Sequence, residues 1–149
     1  MNSQKIILKN ALIIYAGIVI YFLITKILGL DEVSELRFLN FVFVLWGVNN
    51  AIKTNMDVNK ENLYINNFSV GIATSIFSVA FTILGLIIYV GFIEPSFMSV
   101  LENSSFWGKD LNLIMVIFAL AIEGIASSVI CSFVLMQYYK NYSIPEVIL

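Results

Sequence analysis

Few residues in this sequence could do chemistry, and the one with the most to offer is Glu123. It sits inside an apolar run from Leu111 to about Tyr138. Holding a charge near mid-bilayer costs roughly 2.5–3.5 kcal/mol on insertion scales, so protonation, a partner or water access must offset it. Three roles meet that demand. Glu123 could couple protons or cations in a small transporter or channel, its protonation changing how the helices pack. It could instead be glue, neutral or paired with Arg37, contributing about 0.6 kcal/mol per interhelical hydrogen bond. Or it could serve an interface with another protein.

The nucleophile-type side chains nearby are Ser127, Ser128 and Cys131. The chain has no histidine to act as their base, and neither an HExxH nor a GxSxG pattern occurs, so they read as packing residues and the protein as a non-enzyme. A single cysteine excludes an intramolecular disulfide. Without histidine it also excludes the usual metal-ligand spacings, so no metal or cofactor is expected. With a net charge of −2 and no long Lys/Arg cluster, a nucleic-acid partner is not expected either.

The elements that must hold Glu123 are membrane helices. Of 149 residues, 60% are hydrophobic and 12% charged, against about 45–50% and about 25% in a soluble domain. The apolar residues fall in runs long enough to cross a bilayer, which takes about 20 residues. The reading is all-α: one domain over residues 1–149, an up-down bundle of four transmembrane helices spanning 11–28, 36–52, 70–93 and 111–138. The second span carries Arg37, Asn40, Asn49 and Asn50, tolerable only if they face protein or water. Asn49 and Asn50 read as capping or cross-helix hydrogen-bonding groups. Lys5 and Lys9 precede the first apolar stretch as in a secretory signal, but no small-x-small site follows it, so a retained span is expected.

Four spans put the N-terminus, the 54–67 loop and the C-terminus on one side, with Lys5, Lys9, Lys53, Lys60 and Lys140. The other side holds Lys26, Arg37 and Lys109 among six acidic residues. The positive-inside rule then places both termini in the cytoplasm, in a bacterial inner membrane. Phe106 and Trp107 before the last span, and Tyr138, Tyr139 and Tyr142 after it, suit the two headgroup levels. Between the third and fourth spans, Pro95, Phe97, Met98, Val100 and Leu101 suit either a short interfacial helix starting at Pro95 or an ordinary turn. N-x-S triplets at Asn67, Asn103 and Asn141 carry no assignment of glycosylation.

Small and hydroxyl residues mark the packing faces. On the third span Gly71, Ser75, Ser78, Thr82, Gly85 and Tyr89 recur at steps of four and three. On the fourth, the rows Ala119, Glu123, Ser127, Cys131 and Leu120, Gly124, Ser128, Ser132 are neighbours, so Glu123 is expected to share the small face. The first span, nearly all aliphatic, reads as the most lipid-exposed. At about 1.5 Å rise per residue, Glu123 falls near the bilayer centre, level with Ser78 and Thr82, with Asn40 and Arg37 further out. An intramembrane cluster of Glu123, Ser78, Thr82, Asn40 and Arg37 is the expectation. The partners implied are the lipid bilayer and either a second copy or another membrane protein.

The run Leu36-Arg37-Phe38-Leu39-Asn40, the Gly71 to Gly85 stripe, the Glu94-Pro95-Ser96-Phe97 loop and Glu123-Gly124 together resemble small four-helix membrane proteins of unknown function common in Bacteroidota. That resemblance covers nearly the whole chain and implies the layout but no activity. Small multidrug exporters also carry four short helices and an embedded Glu. Theirs lies in the first span, which here has no acidic residue. The function expected is therefore a structural or accessory component of a membrane assembly, with a proton- or cation-coupled transporter or channel subunit using Glu123 as the alternative.

Overall fold

The computed structural model describes residues 2–30, 34–104 and 112–141; the side chain of Arg37 lies outside the described set, as do Phe106, Trp107 and Tyr142. Helix α1 runs Ser3–Ile27. It starts where the Asn2 side chain accepts from the Gln4 backbone N–H. It stops at Gly29 (φ +68°), with Gly29 N–H donating to Lys26 O and Leu30 N–H to Thr25 O, a Schellman closure that favours glycine at that position. A 3₁₀ segment, Ser34–Leu39, leads into α2, Asn40–Asn59. Helix α3, Tyr64–Ile88, continues through a π turn, Tyr89–Ile93. The short α4 is Phe97–Ser104, and α5 is Leu113–Tyr138, capped by Asn112 Oδ1 accepting from Met115 N–H.

Three of these are long and apolar enough to cross a membrane: Ser3–Ile27, Tyr64–Ile93 and Leu113–Asn141. They make this an integral membrane protein. Helix α2 is not among them, because its stretch from Asn49 onward carries Asn49, Asn50, Lys53, Asn55, Asp57 and Asn59. It begins at Asn40 and runs to Asn59, seven residues past the expected end at 52.

Cross-helix contacts fix the directions. Gly17 of α1 faces Phe43 of α2 and Gly47 of α2 faces Ile14 of α1, so these helices are antiparallel. Tyr15 meets Phe81 and Gly85, and Phe22 meets Tyr89, so α1 and α3 are parallel. Gly71 faces Ser132 and Gly124 faces Val79, so α3 and α5 are antiparallel. Helix α3 is the hub, packed by α1, α2 and α5, whereas α1 and α5 share no extensive contact. The four helices alternate in direction, but the ring is open between α1 and α5.

Expectation and structure part at α1. Far from being a lipid-facing anchor, it buries Ile6, Asn10, Ala11, Ile14 and Thr25 against α2 and α3. The reason is reciprocal: each helix offers a glycine to the other's bulk, Gly47 to Ile14 and Gly17 to Phe43. In lipid such close fit is what holds helices together, since lipid tails solvate an aliphatic side chain as well as protein does.

Each end has its own core. Toward the N-terminal end of α1, Ile14, Val48, Ile52, Met56, Met136 and Tyr139 pack together. Tyr139, expected at a headgroup level, is buried instead, its hydroxyl donating to Asn49 Oδ1 at 2.6 Å. Toward the C-terminal end of α1, Val90, Phe97, Leu101 and Val116 form a second cluster with Phe22 and Tyr89 against it. The loop after the π turn does form a helix, starting at Phe97 rather than Pro95. Two of its apolar side chains, Phe97 and Leu101, pack inward on α3 and α5 residues.

Candidate functional site

The placement of Glu123 follows from its neighbour. A Cβ on Gly124 would lie 2.6 Å from Val79 Cγ1, so α5 meets α3 at Gly124. Successive helix residues are about 100° apart; with Gly124 turned to α3, Glu123 is turned away. It is exposed, and its carboxylate makes no hydrogen bond or ion pair to a described residue. Its surroundings on α5 are Ala119 and Ala126, four residues before and three after, Ser127 half-buried at plus four, and exposed Ile122 and Ile130. The row Ala119, Glu123, Ser127, Cys131 was expected to lie on one face. Steps of four advance about 40° each, and the row winds from open surface at Glu123 to full burial at Cys131.

Among the described residues the expected polar cluster is not assembled; its fifth member, the Arg37 side chain, lies outside them. Ser78 is buried and Thr82 half-buried on α3, but their hydroxyls donate to their own helix: Ser78 to Ser75 O at 2.7 Å, Thr82 to Ser78 O at 2.9 Å. Ser75 and Thr74 do the same, to Gly71 O and Val70 O. Such back-bonding satisfies each hydroxyl without a neighbour. Asn40 is the first residue of α2, beyond the level of Phe43 and Gly17; its Oδ1 is buried with no described partner.

The small residues of the packing faces take different neighbours. Gly71 lies between Ser132 of α5 and Ile52 of α2, while Gly85 lies against Tyr15 of α1. Ser75, Ser128 and Cys131 are buried, and Ser128 donates to Gly124 O at 2.6 Å. Ser132 is fully buried with its hydroxyl unpaired among the described residues. Among those residues, no three carboxylate, thiol or imidazole groups come together where a metal could be held.

Two polar constellations were not anticipated. At the N-terminal end of α1, Asn55 Oδ1 accepts from Ser3 Oγ (3.0 Å) and Asn59 Nδ2 (2.8 Å), while Asn55 Nδ2 donates to Asn67 Oδ1 (2.9 Å). Asn67 in turn donates to Glu61 O and Leu63 O, and Asn50 Nδ2 donates to Asn10 Oδ1 at 2.7 Å. This network ties α1, α2 and α3 at one end. Beside it, the Glu61 carboxylate accepts from the Leu63 N–H and the Asn66 side chain, which hold it below the ordinary glutamate range. At the C-terminal end of α1, Lys26 Nζ donates to Glu94 and to the Tyr89 hydroxyl, which itself donates to Glu94. The i→i+5 bond from Glu94 N–H to Tyr89 O, at 2.9 Å, winds Glu94 back over Tyr89. The sequence signals were the density of asparagine around α2 and the placement of Lys26, at the end of the first expected span, and Glu94, just after the third, on the same side.

Fold and site together define a class: a polytopic α-helical membrane protein with polar ties at both ends and a carboxylate, Glu123, that has no partner among the described residues and lies on an apolar face of α5. Comparison with known protein families, with curated proteins and with solved structures finds no match to this chain.

Proposed function

We propose that this protein is a four-span inner-membrane protein with cytoplasmic termini, of the layout its sequence resembles, acting as a structural or accessory component of a membrane assembly rather than as an enzyme. The observation that carries this is Glu123, exposed near the middle of α5 among apolar side chains. A carboxylate there is too costly to leave facing hydrocarbon, and an assembly partner relieves that cost. The coupled-transport alternative draws on the same residue, but the α3 hydroxyls are engaged by their own carbonyls. They supply no described polar lane to Glu123, which favours the assembly reading.

Support for four spans comes from helix direction. Helices α1 and α3 are parallel, so if both cross the membrane the chain must return between them, and α2 is the element that does so. Its 20 residues reach about 30 Å, the thickness of the hydrocarbon core. An impermeant maleimide applied to sealed vesicles should therefore reach Leu30→Cys and Asn62→Cys from opposite sides, and Asn141→Cys from the side of Asn62→Cys. Labelling of Leu30→Cys and Asn62→Cys from the same side removes the second span.

The assembly itself is tested by native electrophoresis of gently solubilised membranes. The wild-type chain should migrate well above its own 16.8 kDa, and Glu123→Leu should release it as a folded monomer with unchanged helical content. A wild-type monomer, or proton flux through vesicles holding the purified chain that Glu123→Leu abolishes, overturns the accessory reading.

A further inference from the structure

The partner's chemistry can be read from charge, given the assembly reading above. We propose that Glu123 docks a transmembrane helix of a different protein carrying a Lys or Arg near its midplane. Three observations converge on this. The carboxylate is exposed on the outer face of α5 and has no described bond or ion pair. Its flanks, Ala119 and Ala126, are small, so another helix can bring its backbone close and shield the charge from lipid.

The third observation is what a second copy would lack. Lys5, Lys9, Lys60 and Lys140 lie toward the helix ends, and Lys26 is engaged by Glu94 and Tyr89. Lys53 follows Ile52, which shares the level of Gly71 and Ser132; that is nine residues from Glu123, or roughly 14 Å along α5. No described cation of this chain stands at the depth of Glu123. A second copy set against α5 through a symmetric contact would bring another Glu123, and two ionised carboxylates in a low-dielectric contact repel, so such a pair must first take up a proton. A cation on the facing helix compensates the charge in place, which is how ionisable groups persist inside membranes.

The test uses the full chain in lipid vesicles, donor-labelled at an exposed α4 position through Ser99→Cys. The acceptor-labelled probe is a synthetic Leu/Ala transmembrane peptide with one Arg at its centre, compared with the same peptide bearing Leu there. Energy transfer should report about tenfold or more tighter association with the Arg peptide. Glu123→Asp should keep that preference, and Glu123→Gln and Glu123→Leu should erase it. Equal binding of the two peptides, or an Arg preference unaffected by Glu123→Gln, overturns the proposal. In native membranes, an assembly containing only this chain and surviving Glu123→Gln also overturns it, while leaving the accessory reading intact. A wild-type monomer in native membranes, by contrast, fails the accessory reading itself.

Discussion

Replacing Gly47 with alanine should destabilise the protein by about 3 kcal/mol, the upper end of the usual cost of overpacking a core. A Cβ at this position would lie 2.2 Å from Ile14 Cγ1 and 2.6 Å from Ile14 Cδ1. Ile14 has little room to yield, being 1% exposed and packed with Val48, Ile52 and Met136. The helices must then separate, and in lipid the loss of close fit is not repaid by any gain in burial. The measurement is reversible SDS titration of the purified protein, followed by near-ultraviolet circular dichroism. Gly91→Ala is the control, because a Cβ there meets nothing within 4 Å, and its effect should stay within about 0.5 kcal/mol. Combining Gly47→Ala with Ile14→Ala should cost less than the two single changes summed, since the second removes the atoms the first strikes. Strict additivity, or a mild effect of Gly47→Ala alone, would show that the α1–α2 crossing does not depend on this contact.

Asn55→Leu should be the most damaging polar substitution, at about 2 kcal/mol. Asn55 makes three side-chain hydrogen bonds while 1% exposed, and one of its partners, Asn67, is equally buried. Interhelical hydrogen bonds in membranes average only about 0.6 kcal/mol. Orphaning a buried acceptor such as Asn67 Oδ1 adds about 1–3 kcal/mol in its own right, and this second effect dominates. Asn55→Asp separates the two. It keeps acceptors for Ser3 and Asn59 but sets one oxygen against Asn67 Oδ1, so it should destabilise nearly as much as leucine. Asn66→Ala, which removes only an exposed bond to Glu61, should change stability by less than about 0.5 kcal/mol. Thermal unfolding in one detergent compares all three. An Asn55→Asp variant as stable as wild type would refute the assigned network.

Helix existence was written in the chain. Apolar runs of sufficient length set α5 to within two residues, whereas α1 begins at Ser3 and α3 at Tyr64, ahead of the expected 11 and 70, because each helix continues past its apolar run into polar residues. Small residues at Gly71, Gly124 and Ser128 marked surfaces that could come close. The up-down alternation expected of successive membrane crossings agrees with the observed directions of α1, α2, α3 and α5. The polar ties were less visible. Asn49, Asn50 and Asn55 are equally polar in sequence, and only the crossing of α1, α2 and α3 turns Asn55 into a hub and sends Asn50 to Asn10.

What the sequence left open is how each helix is turned about its own axis. In water an apolar stripe faces inward and a polar one outward, so composition alone reports rotation. In α5 nearly every residue is apolar, because lipid and protein interior make the same demand. Rotation then rests on shape. Gly124 fits Val79, and that contact carries Glu123 about 100° away. The sequence by itself determined that a carboxylate lies near the middle of a long apolar run; only the tertiary structure decided that it faces out, because a single glycine fits α3 there and its neighbour cannot.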